Sequence, residues 1–187
     1  MAKKQKRIYN QTSLFGPLYA YLVVLSPPQK VKDEIAQIKK ELNAIADING
    51  RNLHSIAHIT LVDKLTDDVD FPETIQALVQ GQNPFTIKIN GWSYFDHGHS
   101  VTVHLTIKDT EPIVRLMEMV KSPSKSPHIS LAKKIPHTTF DKLRPYLDTL
   151  NYTANWQCTE VTVLKKLMAE KHLGFKDSIR IPLNKIT

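Results

Sequence analysis

Residues 56–62, Ile-Ala-His58-Ile-Thr60-Leu-Val, and residues 127–132, Pro-His128-Ile-Ser130-Leu-Ala, state one phrase twice, His-Ile-(Thr/Ser)-Leu, 70 residues apart. Each phrase sits in a short apolar run of alternating character, the pattern of a buried or half-buried strand. Side chains of a strand alternate faces, so the histidine and the hydroxyl two residues on share one side. Ile59 and Leu61, and Ile129 and Leu131, then point to the opposite, apolar side. One imidazole with one hydroxyl, presented twice, suits a phosphate diester. Two histidines serve as base and acid, and two hydroxyls hold non-bridging oxygens.

Working outward, residues 18–25 (LYAYLVVL) read as a strand ended by Pro27-Pro28. Residues 29–46 place Val31, Ile35, Ile38, Leu42 and Ile45 at helical spacing with Lys and Glu between them. The first phrase occupies a strand over 57–62, and a helix is expected near 72–80 with Ile75, Leu78 and Val79 inward. Residues 84–92 and 100–107 alternate cleanly about a turn at Asp96-His97-Gly98-His99. Glu111-Pro112 opens a helix to about Val120, with proline near its start. A mobile linker, Lys121 to Pro127, precedes the second phrase. A helix over 139–150 and a hairpin of 155–168 with 176–183 close the chain. The order βαβαββαβαββ argues for antiparallel or mixed sheets flanked by helices. A doubly wound nucleotide fold needs a Gly-rich strand-to-helix turn, and none occurs among six glycines.

Composition bounds the reading. The chain has 187 residues, 41% hydrophobic and 23% charged, ordinary for a folded domain. Of the net charge of +7, Lys3, Lys4, Lys6 and Arg7 supply four, and the remaining +3 makes a mildly basic body compatible with an anionic ligand. Residues 1–15 are read as a flexible basic segment, and residues 16–187 as a single domain. The basic start and Leu18–Leu25 faintly resemble a secretory signal, but the run is short and lacks a small-residue cleavage site, so a first strand is expected instead. No run approaches the ~20 apolar residues of a membrane span. Cys158 is the lone cysteine, so there is no intrachain disulfide or Cys-based structural zinc site, and a reducing cytoplasm is expected.

With two His-x-(Thr/Ser)-x strands at this separation, the chain resembles the 2H (two-histidine) phosphoesterase superfamily, the 2′-5′ RNA ligase and cyclic phosphodiesterase group. The resemblance spans most of the chain, from the strand ending in Pro-Pro to the hairpin from Trp156 to Leu183. It implies a bilobal α+β fold: two antiparallel or mixed sheets face a central cleft, with helices on their outer faces. It also implies that His58 and His128 are catalytic and that Thr60 and Ser130 bind phosphate. The expected substrate is a 2′,3′-cyclic phosphate or a 2′-5′ linkage of an RNA end or nucleotide, handled by a monomer without metal or cofactor. Where the ligase-like branch often carries Pro-Phe after the first phrase, this chain has Val62-Asp63-Lys64-Leu65. That branch's base contacts are therefore not carried over.

An unperturbed imidazole titrates near pH 6.5, so one histidine can be neutral while its partner is protonated. Which is acid and which is base stays open at this point. Other candidates for substrate contact are Tyr21 on the first strand, His104 on the polar side of 100–107, Lys134 by parity with His128 and Ser130, and Arg180 between two isoleucines. His97 and His99 form an HxH pair without a carboxylate cluster beyond Asp96, and His54, His137 and His172 read as surface residues. Two rival readings are a non-catalytic RNA- or nucleotide-binding module in the same cleft and an enzyme on ADP-ribose cyclic phosphate. Aromatic residues are 7% of the chain, which does not provide a long stacking platform for single-stranded RNA.

Overall fold

The computed structural model describes residues 16–169, 174–175 and 177–183. The basic head, 1–15, and His172 lie outside the described residues. The first strand, β1 (Tyr19–Leu25), is followed by helix α1 (Gln29–Ile45) and a single turn, α2 (Gly50–Leu53). The first phrase opens β2 (Ile59–Thr66). Helix α3 (Phe71–Val79), the strands β3 (Phe85–Asp96) and β4 (Val101–Lys108), and helix α4 (Glu111–Met119) follow. The second phrase opens β5 (His128–Ile135), after which come α5 (His137–Leu147), β6 (Thr153–Cys158), β7 (Glu160–Leu167) and β8 (Asp177–Pro182).

Local chemistry explains most boundaries. Pro72 and Pro112 occupy the first turns of α3 and α4, where a missing N–H costs no helix bond. Pro28 is extended and caps α1. The apolar stripe of α1 buries Val31, Ile35, Ile38 and Leu42. Ile45, expected on that stripe, is exposed in the last turn.

The α+β class and antiparallel pairing are as expected, and the eight strands of the described residues form one sheet in the order β6-β3-β4-β5-β2-β1-β7-β8. The expectation of two separate sheets is corrected to this extent. Two four-stranded halves meet at β2 and β5 through one register pair, Ile59 with Ile129. The expected terminal hairpin is present as β7 with β8, but its first arm is corrected. The run 155–168 is two strands, since β6 pairs with β3 while β7 pairs with β1 and β8. Only Thr159 separates Cys158 from Glu160, yet β6 is one margin of the sheet and β7 lies next to the other. The two Cα steps from Cys158 to Glu160 span at most ~7.6 Å, so the sheet curls to bring the end of β6 to the start of β7. The centre of the sheet is dry: Val23, Leu25, Ile59, Leu105, Ile129, Val161 and Val163 are fully buried. No helix of the described residues is long and apolar enough to cross a membrane.

Candidate active site

The Ile59–Ile129 pair places the two phrases side by side in opposite directions. Both isoleucines point into the core. Their neighbours on each strand must face the other way, into the cleft. Continuing the register sets His58 across from Ser130 and Thr60 across from His128. The two imidazoles and two hydroxyls therefore stand at the corners of one four-sided patch, each histidine opposite the other phrase's hydroxyl. All four line a cavity of about 360 Å³. A second recess shares His58, Thr60, His128 and Lys133 and is walled by Ser122–Ser124, Ser126 and Met117.

Each histidine is held the same way. His58 Nδ1 bonds the carbonyl of Ile56 at 2.8 Å, and His128 Nδ1 bonds the carbonyl of Ser126 at 2.8 Å. A carbonyl only accepts, so Nδ1 carries the hydrogen in both rings and Nε2 is left as the lone-pair nitrogen of each neutral imidazole. Burial pushes both histidines below the ordinary value, against the opposing pull of these carbonyls. The positive charge of Lys133 adds to the depression of both, and that of Lys39 to His58. A charge on His128 also depresses His58 and His104.

Lys133 was not foreseen, and the reason is a bulge. In β5 the register passes from His104–Ser130 to Val103–Ala132, so Leu131 is an extra residue. In β2 it passes from Val24–Thr60 to Val23–Val62, so Leu61 is an extra residue. A bulge shifts the face of every later side chain. Beyond it, Asp63 and Lys133 come round to the cleft in equivalent places of the two phrases. Lys134, chosen by uninterrupted parity, lines the first cavity beside Lys133, with a left-handed φ of 53°. Asn52 of α2, Arg51 and Asn49 complete that wall. Asn52 Nδ2 donates to the Lys133 carbonyl at 3.0 Å, and its Oδ1 accepts from the Lys133 N–H at 2.9 Å. The sequence signal for this clamp was faint: an Asn-Gly-Arg-Asn turn shortly before the first phrase.

His104 stands behind the cleft rather than on its wall. Its ring stacks on Phe95 at 4.3 Å and tilts against His128 at 5.0 Å. Only 6% of it is exposed, and its Nε2 has no partner among the described residues. Burial with the neighbouring His128 charge brings its pKa down to about 4. Tyr21 does not line the cleft: it is buried against Phe71, and its hydroxyl donates to the Asp68 carbonyl at 3.1 Å. Arg180 lies on the margin strand β8, exposed, with Nε 3.7 Å from Glu160. His97 Nε2 meets Thr102 Oγ1 at 3.1 Å, and His137 lies 3.4 Å from Asp96. No three His, Cys, Asp or Glu side chains gather into a metal-holding group among the described residues.

The arrangement can hold a tetrahedral anion between two hydroxyls and a lysine, with one titratable nitrogen on either side of it. Comparisons with known proteins bear on what that anion is. The family model described as the 2′-5′ RNA ligase superfamily matches residues 27–169. No curated protein sequence matches the chain. Among solved structures, Escherichia coli LigT complexed with 3′-AMP is 15% identical at a TM-score of 0.59, covering 89% of this chain and 95% of that one. The same protein complexed with phosphate is 13% identical at 0.59, covering 89% and 99%. TT0787 of Thermus thermophilus is 15% identical at 0.53, covering 88% and 95%. At these identities the likeness is one of fold.

Proposed function

Because this chain belongs to the 2′-5′ RNA ligase superfamily, we propose that it is a phosphodiesterase acting on the 2′,3′-cyclic phosphate, or a 2′-5′ linkage, of an RNA end or nucleotide. The observation that carries this reading is the matched anchoring of His58 and His128, each Nδ1 on the carbonyl two residues back. It prepares two Nε2 atoms for proton transfer on either side of a patch that Thr60, Ser130 and Lys133 line. The E. coli LigT structures hold 3′-AMP and phosphate, ligands of the class this patch suits.

In the hydrolytic direction a neutral histidine takes a proton from water while the water oxygen bonds to phosphorus. The protonated histidine gives its proton to the departing ribose oxygen as the P–O bond breaks. One water is consumed and a phosphomonoester is formed, after which solvent returns the proton from base to acid. A charge on His128 depresses His58 and His104, so protonation of both motif histidines at once is opposed. One of His58 and His128 is thus the acid and the other the base for hydrolysis, with the roles exchanged when the bond is made rather than broken. Thr60 and Ser130 donate to the non-bridging oxygens, and Lys133 offsets their negative charge as it grows. The lone buried Cys158 fits work in a reducing cytoplasm.

The test is hydrolysis of a short RNA ending in 2′,3′-cyclic phosphate by wild type, His58→Ala and His128→Ala, with EDTA present. Wild type turns over, and each variant loses about 10²- to 10⁴-fold. Binding of that RNA by wild type without turnover would overturn catalysis in favour of a binding module.

A further inference from the structure

Among the described residues, Lys39 is the only Asp, Glu, Lys or Arg that is fully buried, at 1% exposed. It interrupts the apolar stripe of α1, four residues after Ile35 and within a turn of Leu42. A buried cation ordinarily needs an anion beside it. Lys39 has none among the described residues. Its Nζ donates to the carbonyl and to the hydroxyl of Ser55, both at 2.7 Å. The carboxylates of its own helix are engaged elsewhere: Asp33 accepts from Gln29, Glu34 from Tyr152, and Glu41 from Gln37 and Tyr146. The charge it feels most is another cation, Lys133, and burial with that repulsion brings its ammonium down to about 8.

The two oxygens that hold Lys39 belong to the wall of the cleft. Ser55 lines the cavity together with Asn52, His58 and Lys133. The Ser55 hydroxyl donates to the Asn52 carbonyl at 2.9 Å, and the Asn52 side chain clamps the backbone of Lys133. One chain of contacts thus runs from Lys39 through Ser55 and Asn52 to Lys133. Ile56, next after Ser55, supplies the carbonyl that holds His58. Lys39 stands at the root of both the first phrase and the cleft's lysine.

An apolar side chain in that stripe would pack at lower cost than an unpaired ammonium. A buried charge without a counter-ion on a functional wall is intelligible if the counter-ion arrives with the ligand. We infer that Lys39 is an electrostatic positioning residue, a buried ammonium behind Ser55 whose missing counter-ion is the phosphate of the substrate. This rests on the reading of the cleft as a phosphate site. Lys39 does not touch the substrate. Its field passes through Ser55 into a water-poor wall, where charges are screened less than in bulk water. Bound phosphate relieves the repulsion between Lys39 and Lys133, and free protein bears it.

The experiment is calorimetric titration of inorganic phosphate into wild type, Lys39→Met and Lys39→Gln, with NMR shifts of the His58 and His128 rings to place the anion. The dissociation constant rises about tenfold in both variants, the loss of one attractive charge at short range. Without phosphate, Lys39→Met melts at or above the wild-type temperature, which a merely structural lysine would not do. Variants that bind phosphate as tightly as wild type overturn the inference alone. Wild type that binds no phosphate overturns it together with the cleft's reading as an anion site. Should both variants fail to fold, wild type decides by itself through ¹³C-labelled lysine. Phosphate then raises the Lys39 titration midpoint by about half a pH unit or more, and an unmoved midpoint overturns the inference.

Discussion

Asn52 and Lys133 are joined across 81 residues of chain by two hydrogen bonds, Nδ2 to carbonyl at 3.0 Å and backbone N–H to Oδ1 at 2.9 Å. A side-chain amide here does what a neighbouring strand would do, completing the pairing of β5 where a second register shift, between Val103–Ala132 and Val101–Ile135, leaves Lys133 without a ladder partner. A third bond, Nδ2 to the Ile48 carbonyl at 2.7 Å, fixes the amide from behind.

Asn52→Ala leaves the Lys133 N–H and carbonyl and the Ile48 carbonyl without their partner. Stability falls by about 2–3 kcal/mol, as for a buried polar group deprived of its bonds, in urea unfolding followed by circular dichroism. Lys133 then loses its fixed backbone. KM for the cyclic-phosphate RNA rises more than kcat falls, because the protons are still held by His58 and His128. A fall in kcat at constant KM would place Asn52 in the chemistry instead.

Both motif histidines titrate below the ordinary value of 6.5, by burial first and by the charge of Lys133 in addition. Catalysis needs one of them protonated and one neutral, so kcat/KM for the free enzyme peaks on the acid side of pH 6.5. Lys133→Met removes a depressing charge from both rings. The peak then moves to higher pH while KM rises, and ring-proton NMR follows each histidine. A peak that stays put or moves downward would show that Lys133 does not act on the pair.

His104 brings a pH-dependent liability to the core. Its folded pKa is about 4 against 6.5 unperturbed, so between those values the unfolded chain binds the extra proton and stability is lost as pH falls. The loss is on the order of 3 kcal/mol by pH 4. His104→Phe keeps the stacking on Phe95 and removes the proton. Its unfolding free energy therefore gains on wild type steadily from pH 7 to pH 4. Parallel curves over that range would refute the assignment.

Much of this was readable in advance where one physical rule acted alone. Strand alternation found both phrases, and helical spacing found α1, α3 and α4 within a residue or two. It failed where a rule was locally suspended. Parity pointed to Lys134 and passed over Lys133 because no residue type announces a bulge at Leu131. The same device at Leu61 turns Asp63 to the cleft. The break at Thr159 carries neither glycine nor proline, since the chain changes sheet margin there without turning back, and 155–168 reads as one strand. Lys39 was legible as a flaw in the apolar stripe of α1, though its link to the cleft needs Ser55, which only the fold brings beneath it. Tyr21 and Arg180 shared the alternation of site residues, but Tyr21 is buried against Phe71 and Arg180 lies exposed on the margin strand β8.

The rung at Ile59 and Ile129 has a further bearing on how this protein tolerates change. The spacing between His58 and His128 is dictated by the sheet's own lattice, one strand gap of ~4.8 Å across and a two-residue offset of ~7 Å along the strands, and not by how surrounding side chains happen to fill space. Each ring is then aimed by a main-chain carbonyl, which no point substitution deletes. Proton-transfer geometry is in this sense insulated from the composition of either half. Substitutions that repack the core can lower the melting point, yet the two imidazoles keep their separation for as long as that single rung remains hydrogen-bonded.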